Sequence, residues 1–120
     1  MEQSILTSTK KILGLAEEYT AYDLDVTTHI NAAFSHLYQL GIGPTDGYQI
    51  EDSSNEWGEF TASSPILNLV KTFVYLWVQA KFDPPATSFA LDARKEQLQE
   101  IEWRLYVLRD SEIAAEEVAP

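Results

Sequence analysis

The chain has 120 residues, with 45% hydrophobic and 12% aromatic side chains, enough for one domain with an apolar core. It has no cysteine, which excludes disulfides and thiolate metal sites. Eight basic residues against 19 acidic ones give a formal charge of −11, which argues against non-specific DNA binding or attachment to an anionic membrane.

The N-terminus, Met-Glu-Gln-Ser, has neither the basic nor the apolar region of a secretory signal. A first helix is expected after an N-cap at Thr7 or Ser8, ending at Gly14. Glu17 to Tyr22 reads as a connection. A second helix is expected from Asp23 to Leu40, with Val26, Ile30, Ala33, Phe34, Leu37 and Leu40 as its apolar stripe. Asp23 and Asp25 lie where the helix dipole favours negative charge.

Gly41 to Ser64 has turn chemistry, with Gly41, Gly43, Pro44 and Gly47 followed by Asp52-Ser53-Ser54-Asn55. This long irregular excursion, residues 41–64, has room for a short strand or hairpin at Tyr48 to Glu51. A helical turn from Asn55 to Phe60 is expected to pin it to the core through Trp57 and Phe60. Connections of this length are usually functional.

Ser64-Pro65 signals a third helix, with Ser64 as N-cap, running to Phe82 and stopped by Asp83-Pro84-Pro85. It is apolar nearly all round, so it is expected at the centre of the domain, with Trp77 in the core. Its most apolar run, Ile66 to Val78, would span about 20 Å against a hydrocarbon core of roughly 30 Å, so it reads as a core helix and the chain as one made in the cytoplasm. The fourth helix is expected from Thr87 or Ser88 to Arg109, with Leu91, Leu98, Ile101, Leu105 and Leu108 as its stripe. At 100° per residue Trp103 falls about 160° from Leu105. The helix therefore has a second apolar face that needs a cover, either the first helix or another molecule. Residues 111–120 read as an acidic tail, frayed or disordered in the isolated chain, after a helical domain of residues 1–110. The fold class is all-α, with about four helices.

Charge is unevenly placed. From Ile12 to Val70 there is no Lys or Arg, whereas Asp46, Glu51, Asp52, Glu56 and Glu59 fall in the excursion. His29 and His36 are seven residues apart and lack the one-turn pairing and second ligand cluster of a zinc site, so they read as exposed or interface side chains. Adjacent acids such as Glu51-Asp52 read as solvated, and no phosphate-binding loop, dinucleotide fingerprint or nucleophile motif is present. These features point away from an enzyme. Trp103 and Tyr106, off the core stripe, are the type of anchor that interfaces favour. Arg104, Val107, Arg109 and Ile113 complete that candidate interface.

Several stretches, taken in order, carry a resemblance: Ile5-Leu6-Thr7-Ser8 through Lys10-Lys11-Ile12-Leu13-Gly14, Ile30-Asn31-Ala32-Ala33-Phe34, Leu40-Gly41-Ile42-Gly43-Pro44, Val70-Lys71-Thr72-Phe73-Val74-Tyr75-Leu76, Phe82-Asp83-Pro84-Pro85 and Glu100-Ile101-Glu102-Trp103-Arg104-Leu105. Over residues 5–109 the chain resembles the head-to-tail connector (adaptor, head completion) proteins of long-tailed bacteriophages. The resemblance implies a helical structural protein of the virion, without enzymatic activity or cofactor. Such proteins form a dodecameric ring under the portal, bridge it to the stopper and tail, and let DNA pass through the lumen without sequence-specific binding. Their C-terminal helical part commonly docks on the portal. The acids of the excursion then become candidates for a lumen lining or a contact with the next ring. The competing reading is a small acidic module that sequesters a basic protein or mimics DNA. It would act as a monomer or dimer with steep salt dependence, where a connector would form large rings.

Overall fold

The computed structural model describes residues 3–44, 46–61, 64–82 and 87–118, with backbone alone for residue 64 and residues 110–118. The fold is all-α. Five helices follow in order: α1 (Ile5–Ile12), α2 (Asp23–Gln39), the single turn α3 (Trp57–Phe60), α4 (Ser64–Phe82) and α5 (Ser88–Val118).

α1 starts one turn earlier than its sequence suggests. The N-cap is Ser4, not Thr7 or Ser8, and its Oγ accepts from the Thr7 amide at 3.2 Å. The earlier start places Ile5, Leu6 and Thr9 on one buried face. Lys10 is only 3% exposed, and its Nζ meets Asp23 Oδ1 at 2.8 Å and donates to the Glu17 carbonyl at 2.9 Å. A buried ammonium is tolerated only when paired in this way, so Lys10 ties α1 to the first turn of α2.

α2 follows its expected stripe: Val26, Ile30, Ala33, Phe34 and Leu37 are buried. α4 takes the centre, touching each of the other four helices and burying Ile66, Val70, Phe73, Val74 and Val78. Ser64 is its first residue instead of the residue before it. The expected stop at Asp83-Pro84-Pro85 lies outside the described residues.

The tryptophan at the heart of the core is Trp57, fully buried, whereas Trp77 is only half-buried at the edge. The one-turn α3 drives Trp57 inward. There its Nε1 donates to Ser8 Oγ at 2.9 Å, and its ring meets Tyr75 edge-on at 5.8 Å and Phe34 at 6.3 Å. Trp77 instead lies beside the His36 ring.

α5 does not end near Arg109. It continues as helix to Val118, and its 31 residues make about 46 Å of helix. Ala114, Ala115, Glu116 and Glu117 are adequate helix formers, and nothing before Pro120 breaks the ladder.

Candidate assembly surfaces

Tyr48 to Glu51 is not a strand. Among the described residues the β pairing is a single bridge between Ser4 and Glu56. Extended backbone needs partners for its amides and carbonyls, and here a side chain supplies them. Asn31 on α2 donates Nδ2 to the Ile50 carbonyl at 3.1 Å and accepts the Ile50 amide at 2.8 Å. The rest of the excursion is held similarly. Ile42, Ile50, Trp57 and Phe60 are buried, and Phe34 stacks on Phe60 at 5.0 Å and meets Tyr48 edge-on at 5.3 Å.

The five acids of this segment divide by role. Glu59 accepts from the Glu56 amide at 3.0 Å, from Asn55 Nδ2 at 3.1 Å and from the Tyr48 hydroxyl at 3.0 Å. Glu56 and Glu59 together form the capping box of α3. The backbone, Asn55 and Tyr48 hydrogen bonds hold the Glu59 carboxyl below its usual pKa, and the Ser54 hydroxyl and amide do the same for Asp52. Burial and the neighbouring Glu59 push the Tyr48 phenol up to about 12. Asp52, Glu56 and Glu59 are therefore parts of the loop's framework. Asp46 and Glu51 are exposed, with carboxylates that no described contact engages. The sequence signal for Glu59 was present: an acid three residues after the cap, opening a turn that carries aromatics.

The second surface is the outer face of α5. Leu105 is buried and Leu98, Ile101 and Leu108 pack against the core. On the other side Trp103 is 65% exposed, with Tyr106 and Val107 each 42% exposed, so nothing described in the chain covers this face. The Trp103 and Tyr106 rings stack at 6.5 Å and, with Leu40, Gln99 and Glu102, line a shallow groove. Arg104 is exposed and pairs with Glu100 one turn back at 2.9 Å. Arg109 is engaged within its own chain: the guanidinium sits 4.4 Å from the Tyr106 ring centre and donates to the Leu40 carbonyl at 2.8 Å. It thereby satisfies an end carbonyl of α2. Ile113 lies on the helical continuation, where side chains are not described.

His36 is partly buried and bound within the fold: its Nε2 meets Glu102 Oε1 at 2.8 Å, and its ring stacks on Phe73 at 5.9 Å. Among the described residues no group of His, Cys, Asp or Glu is arranged to hold a metal ion, and no helix is long and apolar enough to cross a membrane. The arrangement offers surfaces for packing.

Residues 5–112 match the family model described as phage connector protein. The chain belongs to that family. No curated protein and no solved structure matches it. The family is a structural one, and as a phage connector the protein is a component of the virion that works against other head and tail proteins. The match takes in α1 to α5 as far as residue 112, so both surfaces lie within it.

Proposed function

We propose that this connector is the head-to-tail adaptor, a ring of identical subunits, twelve by family resemblance, between the portal and the stopper. It has no enzymatic activity or cofactor. Residues 1–110 form the body of each subunit, and residues 111–120 an acidic extension toward the portal. The observation that carries this reading is the uncovered face of α5, where Trp103, Tyr106 and Val107 present apolar surface on a rigid helix. In a closed ring two different faces of each subunit meet, and an aromatic face with no cover in its own subunit supplies one of them.

The base-free half supports passage of DNA. Phosphates are held through Lys and Arg contacts that release counterions, and from Ile12 to Val70 there are none. Asp46 and Glu51, free of framework duties, are the acids best placed to line the lumen or face the next ring. Two measurements test the reading. Native mass spectrometry of the protein, alone and on portal complexes, should find ring-sized assemblies, and a chain found only as a monomer or dimer in both would end it. Asp46→Lys with Glu51→Lys should keep the fold and slow DNA ejection, whereas a normal ejection rate would remove the lumen role.

A further inference from the structure

α5 offers apolar surface on two sides. The Trp103 and Tyr106 rings, stacked at 6.5 Å, stand out as a ridge, with Trp103 65% exposed. On the other flank of the same helix a groove of about 320 Å³ runs between α4 and α5. Leu69, Thr72 and Leu76 of α4 and Ile101 of α5 line it, and the Glu100–Arg104 pair stands at its edge. The three aliphatic side chains are half-buried. Thr72 is exposed, but its hydroxyl donates to the Asn68 carbonyl of its own helix at 3.2 Å, which leaves its methyl as the surface it adds to the groove.

Ridge and groove face away from each other. At 100° per residue Trp103 lies about 160° from Ile101, and Tyr106 about 160° from Arg104. The ridge therefore cannot reach the groove of its own chain. A second copy brings both surfaces with it, and a contact that joins one flank of α5 to the opposite flank of the next copy repeats from subunit to subunit, as a ring requires.

We propose that the Trp103–Tyr106 ridge of one copy seats in the α4/α5 groove of the next, an inference that rests on the ring described above and names the second of its two faces. Chemistry and area select this occupant. The aliphatic lining takes the flat of an indole. The Arg104 side chain, 62% exposed at the edge, can lay its guanidinium over the ring, the preferred partner of a cation, while it keeps Glu100. Trp103, Tyr106 and Val107 together expose on the order of 300 Å², against roughly 800 Å² buried per partner in a stable pair. One such contact is too small to hold a free dimer. In a closed ring every copy makes two of them, one through its ridge and one through its groove.

The test uses the full-length chain, alone and on portal complexes. The sequence has no cysteine, so introduced thiols report this contact alone. Copies carrying Gln99→Cys, beside the ridge, mixed with copies carrying Thr72→Cys, in the groove, should cross-link through a short bismaleimide in the assemblies, and neither variant should cross-link with itself. Thr72→Trp, which fills the groove, should weaken assembly tenfold or more by native mass spectrometry at an unchanged melting temperature; should it lower the melting temperature, the cross-link decides alone. N-acetyltryptophanamide titrated into the Trp103→Ala monomer should shift the methyl resonances of Leu76 and Ile101, and should no longer do so once Thr72→Trp is added. Assemblies without the mixed cross-link, Gln99→Cys copies cross-linked to each other, normal assembly of Thr72→Trp, or groove methyls that ignore the indole probe would each overturn the proposal. A chain that forms no ring on the portal while its groove still answers to the probe would overturn the ring, and with it the second copy as occupant, and leave the groove's fit for an indole standing.

Discussion

The excursion between α2 and α4 and the outer face of α5 differ in a way that backbone regularity alone would not suggest. The first is polar, glycine-rich and irregular, yet it closes on itself. Four apolar anchors are buried, Asn31 stands in for a strand, and three of its five acids hold backbone or cap a turn. The second is regular helix, yet it leaves two aromatics and a valine in water. Regularity of backbone and completeness of packing are separate properties. The uncovered apolar surface lies on the ordered helix and not on the loop.

Substitutions at the tryptophan of each region, buried Trp57 and exposed Trp103, separate the two most sharply. Trp57→Ala should destabilise the isolated subunit by about 3–5 kcal/mol in urea unfolding, the usual cost of emptying a large aromatic site. A loss below about 1 kcal/mol would contradict the excursion's role in the core. Asn31→Ala should cost about 2–3 kcal/mol, because it strands both backbone groups of a buried residue, and should speed hydrogen exchange at the Ile50 amide. Normal exchange there would mean that the segment holds without its side-chain partner.

Trp103→Ala should act in the opposite manner. Subunit stability should stay within about 0.5 kcal/mol, as for surface changes generally, while assembly weakens by about 2 kcal/mol if Trp103 is an interface anchor. Unfolding curves and native mass spectrometry read the two effects separately, and a subunit that loses stability but assembles normally would return Trp103 to the interior.

The smallest effects are those of pH. Glu59 titrates lower in the fold than its ordinary 4.5 and Asp52 lower than its ordinary 3.8. Their contribution is complete above those values and disappears as pH falls through the depressed ones. Glu59→Gln should flatten that acid limb. Tyr48 moves the other way, from 10.0 to about 12. Its share is complete below pH 10 and is lost as pH rises toward 12, and Tyr48→Phe should abolish that alkaline loss.

Much of this was legible in the residues. The stripe of α2, the all-round apolarity of α4 and the doubled face of α5 follow from the 3.6-residue period, and the aromatics of α3 announced themselves by standing alone in polar surroundings. What escaped has physical causes. Three hydroxyl residues, Thr7, Ser8 and Thr9, stand just downstream of Ser4, and which hydroxyl caps α1 depends on the face the core buries. Trp77 looked internal because α4 is apolar all round, a pattern that does not rank one side above another. Tyr48 to Glu51 had the residues of a strand, but its partner was one amide side chain 19 residues earlier, which no periodicity reveals.

Gly41 lies at a left-handed φ of +77°, and the Arg109 Nη1 occupies the space beside its Cα where a side chain would go, 2.6 Å from an ideal Cβ. Arg109 is also the last residue of α5 before the nine that continue to Val118, about 13 Å of further helix. An alanine at position 41 would be strained by its φ and would push the guanidinium aside, away from the Leu40 carbonyl and the Tyr106 ring. One arginine thus ties the end of α2 to an aromatic of the uncovered face, and a residue in a loop far earlier in the chain decides whether that tie holds.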